Sequence, residues 1–208
     1  MRAIIFANGE LTPPISISQD DMIIAANGGA HHCLQHHIDP HYVIGDFDSL
    51  STEEVNQLQI NGAKLIRYPI KKDFTDLELA LQHALELEAE EILIYGALGK
   101  RWDQTLANLL LAGAYSKIDI RIVDGNQEFY YIQSGETQDI PGKPGDTISL
   151  LSLTERVEGV KTSNLEYPLN DETLYFGSTR GVSNVMQEDQ ASVYIRNGLL
   201  LCVVIHKM

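Results

Sequence analysis

Positive charge is scarce in this 208-residue chain, in which 15 lysines and arginines are outnumbered by 29 aspartates and glutamates for a formal net charge of −14. This balance predicts neither a nucleic acid partner nor attraction to anionic lipid, because both depend on Lys and Arg neutralising phosphate. The same charge would repel a nucleotide triphosphate. Phosphate chemistry here would therefore need a divalent cation to bridge the acidic protein and an anionic substrate.

Cysteines and long apolar runs are also scarce. Cys33 and Cys202 are the only cysteines, and because neither has a ligand-type spacing to the other, we predict that both are reduced and structural. No segment approaches the roughly 20 apolar residues of a membrane span, and the strand-like residues 1–8 lack the longer apolar core of a signal peptide. We expect no membrane association and a cytoplasmic location.

The hydrophobic pattern up to about residue 123 alternates short apolar runs with segments of helical periodicity, as in a parallel sheet covered by helices. The runs that predict strands are residues 3–6, 22–25, 42–44, 64–68, 92–95 and 118–123. Apolar residues at helical spacing predict helices over residues 74–85 and 106–114.

Beyond residue 125 the helical periodicity disappears, and β-rich segments punctuated by Gly and Pro follow. They predict strands over residues 129–133, 147–153, 173–176, 192–196 and 199–205. The Asn197-Gly198 pair between the last two predicts a hairpin turn. We therefore predict an α/β N-terminal domain with a mainly parallel sheet flanked by helices (residues 1–123), followed by an all-β, sandwich-like C-terminal domain (residues 124–208).

The strongest local motif, Gly45-Asp46-Phe47-Asp48-Ser49, directly follows a predicted strand. Ligands of open α/β sheets bind at the carboxyl ends of strands. Two carboxylates at such an end can converge on Mg²⁺, which prefers oxygen ligands. The alternative is a helix entry in which Asp48, Ser49 or Ser51 caps the next helix. The motif alone leaves both interpretations open.

A second acidic pair, Asp73 and Asp76, lies at the start of the next predicted helix. By itself this pair favours an ordinary helix start, with Asp73 as N-cap and Asp76 in the first turn. The preceding strand, however, places the pair at a strand end as well. Two acidic pairs at two strand ends could share one metal site.

The third motif runs from Gly96 to Gln104 after the strand predicted over residues 92–95. Its glycines allow close approach of the backbone, the helix start offers unpaired N–H groups, and Lys100 with Arg101 supplies compact positive charge. This pattern predicts a phosphate site, although a plain turn with Asp103 as helix cap is the alternative. It is not a Walker A loop, and the chain has no Gly-x-Gly-x-x-Gly fingerprint.

Another glycine-rich strand end is Asn27-Gly28-Gly29, which opens a predicted helix. His32 and His36 nearby have the i, i+4 spacing of a zinc helix, but no Glu lies between them in the expected place, so we assign them no metal role.

In the β-rich half, Ser178, Ser183 and Asn184 lie in a polar, Gly-flanked segment between predicted strands. Their side chains could bind a neutral organic substrate or satisfy the backbone of a turn.

Taken together and in this order, the motifs resemble those of the thiamine pyrophosphokinases. The matching elements are Asn27-Gly28-Gly29, Gly45 to Ser49, Lys72-Asp73-Phe74-Thr75-Asp76, Gly96-x-x-Gly99-x-Arg101-x-Asp103 and Ser183-Asn184. The resemblance covers nearly the whole chain. It implies an α/β domain for ATP and Mg²⁺, a C-terminal β-sandwich, and a homodimer with thiamine at the subunit interface. The implied reaction transfers pyrophosphate from ATP to the thiamine hydroxyl and releases AMP.

The resemblance also implies roles for the candidate catalytic residues. Asp46, Asp48 and Asp73 would hold Mg²⁺, and Asp76 would support that site. Arg101 would face the phosphates. Asp103 would orient Arg101 or approach the hydroxyl.

The implied binding residues fall into two groups. The nucleotide-side residues are Asn27, Gly28, Gly29, Gly96, Gly99, Lys100 and Arg101. The thiamine-side residues are Ser178, Ser183 and Asn184, with Trp102 or Tyr175 as an aromatic face for the cationic thiazolium.

The chain departs from the family pattern at three positions, where the family usually has Asp for Asn27, Gly for Lys100 and His for Gln104. The first change removes one carboxylate from the implied metal shell, and the last removes an imidazole.

Two other functions are compatible with parts of the sequence. A strand followed by Asp46-x-Asp48 permits a phosphohydrolase of the haloacid dehalogenase type, with Asp46 as nucleophile. However, Ser49-Leu50 replaces the usual continuation, and two strands precede the motif. The other alternative is a noncatalytic module in which the β-rich half binds a small molecule.

Overall fold

The computed structural model describes residues 1–207, which form two compact units. The N-terminal unit comprises Met1–Leu111 and Ile118–Gly125, and the C-terminal unit comprises Ala112–Lys117 and the residues from Asn126 onward. Within residues 1–207, no helix has the length and apolar character needed to cross a membrane.

The N-terminal unit contains a parallel sheet. Its strands are β1 (Arg2–Phe6), β2 (Met22–Ala26), β3 (Tyr42–Gly45), β4 (Lys64–Arg67), β5 (Glu91–Tyr95) and β6 (Asp119–Asp124). They lie in the order β6-β5-β1-β2-β3-β4, and each neighbouring pair is parallel. The predicted α/β class with a parallel sheet is confirmed.

Helices connect these strands from β2 onward, whereas residues 7–21 join β1 to β2 without a helix. The helices are α1 (Ala30–Gln35), α2 (Thr52–Ile60), α3 (Asp76–Glu86) and α4 (Trp102–Ala114), with a short 3₁₀ helix over Asn27–Gly29. Strands covered on both faces are apolar along most of their length, and the central strand β1 is buried from Ala3 to Phe6.

The C-terminal unit consists of antiparallel strands. They are β7 (Gln127–Gln133), β8 (Thr137–Pro141), β9 (Thr147–Ser152), β10 (Arg156–Ser163), β11 (Asn170–Tyr175), β12 (Asn184–Val185), β13 (Gln190–Tyr194) and β14 (Leu199–Ile205). The order β12-β9-β14-β7 forms one layer and β11-β10-β13-β8 forms the other. Apolar residues of both layers, such as Leu150 and Val193, share one buried core. This is the predicted sandwich.

The predicted hairpin around Asn197-Gly198 is wrong, because β13 and β14 belong to different layers. β13 pairs with β8 and β10, whereas β14 pairs with β7 and β9. The main chain at Asn197 instead exchanges hydrogen bonds with Glu158. The chain therefore bends at the Asn-Gly pair, where it passes from one layer to the other.

The C-terminal unit also contains a buried carboxylate, Asp146, which is 2% exposed. It accepts hydrogen bonds from the main-chain N–H groups of Lys143 (2.9 Å) and Lys207 (2.8 Å), and its Oδ2 lies 2.8 Å from His206 Nδ1. Burial alone would raise the pKa of Asp146, but these hydrogen bonds outweigh it and lower the pKa. The ionised carboxylate therefore ties the C-terminal segment to the 142–146 turn.

We expect Asp146→Asn to lower the free energy of unfolding by about 1–3 kcal/mol near neutral pH, because one buried donor loses its acceptor. The lowered pKa of Asp146 in the folded state stabilises the protein at pH values above about 3.9, the ordinary pKa of an Asp in the unfolded chain. This stabilisation is lost as the pH falls through the pKa that Asp146 has in the folded state. The difference between the native chain and the variant should therefore shrink below about pH 4. Urea unfolding across pH would measure it, with the exposed Asp139→Asn as control; a difference that does not vary with pH would refute this account.

Candidate active site

A cavity of about 600 Å³ lies at the carboxyl ends of the parallel strands. β1 has β5 on one side and β2 on the other, so the chain direction across the sheet reverses here, which is where open α/β sheets bind ligands. Segments at the ends of five strands line the cavity. They are residues 7–10 after β1, 26–27 at β2, Asp46, Asp48 and Ser49 after β3, Ile70, Lys72, Phe74 and Thr75 after β4, and residues 97–101 after β5. Residues of α3 and α4 complete the lining.

Asp46 and Asp48 are brought together at this cavity by the side-chain amide of Asn27. Asn27 Nδ2 donates to Asp46 Oδ1 and to Asp48 Oδ1, each at 3.0 Å. Asn27 is buried, and its Oδ1 has no hydrogen-bond partner within residues 1–207. Asp46 Oδ1 also accepts from the main-chain N–H of Asp48 at 3.1 Å. The Asn at position 27 therefore positions two carboxylates.

Lys72 adds a positive charge beside these carboxylates. Its Nζ lies 3.2 Å from Asp46 Oδ2 and 3.0 Å from Asp76 Oδ1. Burial alone would raise the pKa of Asp46, but hydrogen bonds from the Asp48 main chain and from Lys72 lower it below its ordinary value. Asp46 is consequently ionised at neutral pH.

The helix caps are not the aspartates that the sequence offered for that role. Ser51 caps α2 in a capping box with Glu54, and Thr75 caps α3 by accepting from Glu78 N. The alternatives in which Asp48 or Asp73 serves as N-cap are therefore wrong, because a hydroxyl closer to each helix takes that position. Asp46 and Asp48 remain available to a ligand, and Asp76 lies in the first turn of α3.

Asp73, the third proposed metal ligand, is exposed and is not among the residues that line the cavity. Within residues 1–207, no three carboxylate, imidazole or thiolate groups converge as a metal cluster. The Asp46–Asp48 pair nevertheless fits Mg²⁺, which proteins commonly bind through one or two carboxylates together with substrate phosphates and waters. The involvement of Asp73 stays a prediction.

The loop after β5 lies against the segment that follows β1. Gly9 N donates to Gly96 O and Glu10 N donates to Leu98 O, both at 2.7 Å. Thr105 of α4 holds the loop from the other side, because its hydroxyl accepts from Gly99 N (3.0 Å) and donates to Gly99 O (3.1 Å). These bonds fix the cavity wall where the sequence predicted a phosphate site.

The charged side chains of this loop and of the first turn of α4 are exposed to solvent. Arg101 and Asp103 are joined by two contacts, of 3.2 and 2.6 Å, and both side chains are exposed. Lys100 is also exposed, with its Nζ 3.6 Å from Glu10 Oε1. Lys100, Arg101 and Gln104 line the cavity, whereas Asp103 does not. An exposed Arg101 has the freedom to turn toward a bound anion.

The glycines predicted on the nucleotide side fall into two groups, those that line the cavity and those that lie behind its wall. Gly99 lines the cavity, whereas Gly28, Gly29 and Gly96 lie outside its wall. Gly28 packs against the side chain of Asn8, and Gly29 packs against the main chain of Phe6.

Family models account for most of the chain. The catalytic domain model of thiamin pyrophosphokinase matches residues 15–123, and its vitamin B1 binding domain model matches residues 134–200. The thiamine pyrophosphokinase of Bacillus subtilis (strain 168) is 30% identical over 182 residues, covering 86% of this chain and 85% of that protein. This chain belongs to the thiamin pyrophosphokinase family. Neither the phosphohydrolase nor the noncatalytic alternative receives support from these relatives.

Solved structures of the family have the same fold. The crystal structure of thiamine pyrophosphokinase from Bacillus subtilis matches with a TM-score of 0.89 at 27% identity, covering all of both chains. A thiamin pyrophosphokinase family protein from Enterococcus faecalis matches with a TM-score of 0.88 at 28% identity, again over all of both chains.

The region matched by the vitamin B1 binding model contains the three predicted thiamine-side residues. Ser183 is exposed and Ser178 is half-buried, so both hydroxyls retain access to a ligand. Asn184 is buried, and its amide bonds the main chain of Tyr167 at 3.0 and 2.7 Å. Asn184 thus anchors a loop of the thiamin pyrophosphokinase sandwich. Its contact with thiamine stays a prediction.

Two further parts of the cavity wall were not predicted from the sequence. They are the polar segment Asn8-Gly9-Glu10 and the buried residue Asn108, whose Nδ2 donates to Ala97 O at 2.7 Å. The first had a usable signal, since these residues directly follow the apolar run of β1. Asn108 had none, because an Asn within a helical pattern does not reveal which loop it contacts.

Proposed function

We propose that this chain uses the cavity at the strand ends to transfer the pyrophosphoryl group of ATP to thiamine. The observation that carries the proposal is the Asp46–Asp48 pair, held by Asn27 in a cavity that Lys100 and Arg101 also line, in a member of the thiamin pyrophosphokinase family. ATP and thiamine are the substrates that the family implies. The products are thiamine diphosphate and AMP.

In the proposed step, the thiamine hydroxyl oxygen forms a bond to the β-phosphorus of ATP. The bond from that phosphorus to the oxygen bridging the α-phosphorus breaks, AMP leaves with the bridging oxygen, and the hydroxyl proton is released. Such transfers depend mainly on positioning and charge stabilisation. Arg101 contributes positive charge at the phosphates, and Asp103 orients Arg101 through their ion pair.

Mg²⁺, when bound, would neutralise the polyphosphate charge. Asp46 and Asp48 would hold it, with Asp73 as the further predicted ligand and Asp76 supporting the site through Lys72. Asn27 keeps Asp46 and Asp48 next to each other by donating to both.

We also propose that residues 124–208 provide the thiamine-binding domain, with Ser178, Ser183 and Asn184 on the thiamine side. Tyr175 is 58% exposed and Trp102 is 79% exposed. Either ring can present a face to a cationic thiazolium.

AMP formation from ATP, Mg²⁺ and thiamine by the purified chain tests the function. Parallel reactions would lack thiamine or contain excess chelator. AMP that depends on both thiamine and metal is the expected result. A folded preparation that forms no AMP, or that forms it without thiamine, would exclude the proposed transfer.

We also propose that the chain forms a homodimer, which is supported by an apolar stripe on α4. Trp102, Leu106 and Leu110 recur every four residues and are 79%, 58% and 48% exposed. Asp103 is the single charged residue of this 13-residue helix. A second copy presenting the same stripe would cover it by two-fold symmetry.

We expect the native chain to sediment as a dimer and Leu106→Glu to sediment as a monomer, because a charge would be placed in the apolar contact. Ile60→Glu is the matched control, since Ile60 is also exposed on a helix but lies outside the stripe. Analytical ultracentrifugation distinguishes the outcomes. A native monomer, or a Leu106→Glu dimer as tight as the native one, would contradict this assignment of the interface.

A further inference from the structure

Lys72 is the best shielded of the cations that line the cavity. Its side chain is 12% exposed, against 93% for Lys100 and 72% for Arg101. It lies between two carboxylates, Asp46 and Asp76, whose side chains are 9% and 24% exposed. A largely buried ammonium between two carboxylates is a strong local counter-ion, because solvent screens its charge only weakly.

The two oxygens of Asp46 have different partners. Oδ1 accepts from Asn27 Nδ2 at 3.0 Å and from Asp48 N at 3.1 Å, whereas Oδ2 faces Lys72 Nζ at 3.2 Å. Oδ1 therefore already accepts two hydrogen bonds, the usual capacity of a carboxylate oxygen. A cation that binds Asp46 without breaking those hydrogen bonds must therefore approach Oδ2, the oxygen that Lys72 contacts.

We propose that Lys72 and a divalent cation compete for Asp46 Oδ2, and that Lys72, once released from Asp46, contacts the polyphosphate of the nucleotide. The second half of this statement rests on the proposed function. Lys72 thus acts as an exchangeable counter-ion of the site and then as a phosphate-contacting residue.

The pairing with Asp76 allows Lys72 to leave Asp46 without leaving the cavity. Lys72 and Asp76 are four residues apart, with Nζ and Oδ1 separated by 3.0 Å. Asp76 can hold the ammonium in the cavity after Asp46 has been given up. The positive charge therefore stays within reach of a bound anion, in a chain whose net charge of −14 otherwise repels it.

Lys72→Met tests the proposal because it keeps the apolar length of the side chain and removes the charge. Lys71→Met is the matched control, since Lys71 is the adjacent lysine, is exposed and does not line the cavity. Lys72→Arg restores a cation. Mn²⁺ affinity of each full-length chain would be measured by electron paramagnetic resonance without nucleotide. Affinity for α,β-methylene-ATP would then be measured by calorimetry at saturating Mn²⁺.

The proposal predicts opposite changes in the two affinities. Lys72→Met should bind Mn²⁺ about tenfold more tightly than Lys71→Met, because the competing charge is gone. It should bind the nucleotide analogue about tenfold more weakly, and Lys72→Arg should restore nucleotide affinity. A variant damaged only in its structure would lose both affinities together.

Mn²⁺ affinity of Lys72→Met that does not exceed that of Lys71→Met would overturn the competition. Unchanged nucleotide affinity would overturn the phosphate contact. If Lys72→Met is too unstable without metal, the melting temperatures of all variants with and without Mn²⁺ give a second readout. The proposal predicts that Mn²⁺ raises the melting temperature of Lys72→Met more than that of Lys71→Met. An equal rise in the two variants would contradict it. Neither readout uses thiamine or turnover, so failure of AMP formation alone would count against the proposed function and not against the competition.

Discussion

Asp46→Asn should reduce AMP formation at least about 100-fold while leaving the protein folded. Asp46 joins three parts of the site, because it accepts hydrogen bonds from Asn27 Nδ2, the main-chain N–H of Asp48 and Lys72 Nζ. An amide has the same shape but lacks the negative charge needed to hold a cation. Turnover at saturating ATP, Mg²⁺ and thiamine measures the effect, with circular dichroism as the check on folding.

Asp73→Asn makes the same chemical change in the neighbouring motif. Asp73 is exposed and does not line the cavity, although the family resemblance assigns it to the metal. A large loss of activity in this variant would show that bound substrate draws Asp73 into the metal site. Native-like activity would confine the ligands to Asp46 and Asp48. Near-normal activity of Asp46→Asn would defeat the metal assignment altogether.

Gly9→Ala should both destabilise the protein and impair nucleotide binding. A Cβ at this position would overlap the carbonyl oxygens of Leu98 and Gly96, which are the acceptors of the hydrogen bonds from residues 9 and 10. Neither oxygen can move without breaking those bonds. We expect a loss of about 1–3 kcal/mol in the free energy of unfolding. We also expect at least about tenfold weaker binding of α,β-methylene-ATP, because the loop that forms the cavity wall is displaced.

Gly62→Ala separates general destabilisation from damage to the cavity. Gly62 has φ of +96°, so alanine is strained there, yet a Cβ would meet no atom within 4 Å. This control should cost about 1 kcal/mol of stability and leave nucleotide affinity unchanged. Denaturant unfolding and calorimetry on both variants test the contrast. Equal nucleotide affinity in the two variants would show that the contact between residues 8–10 and 96–98 does not shape the site.

The site could be located from sequence largely because one rule applies to several motifs at once. Asp46, Asn27 and Gly99 each follow a short apolar run, and parallel strands bring the residues after such runs to one edge of the sheet. The same rule applies to Asn8 after β1. Asn8 was not predicted as a site residue, although it follows the apolar run of β1 directly.

Details that depend on three-dimensional context could not be read from the pattern. Both Asp73 and Thr75 are good caps, and only the point at which α3 begins makes Thr75 the cap. Strand β10 was not predicted because a bulge between Val157 and Val160 breaks the alternation that identifies strands. The passage of the chain from one layer to the other at Asn197-Gly198 likewise depends on long-range pairing of Asn197 with Glu158.

The bonds between Thr105 and Gly99 also determine how the phosphate-side loop can move. One hydroxyl on the first turns of α4 engages both the N–H and the C=O of Gly99. The Gly99 amide hydrogen is therefore protected from exchange with solvent as long as that part of the helix stays wound. The loop and the N-terminal turns of α4 consequently open as one cooperative unit. The loop opens only when the N-terminal end of α4 frays.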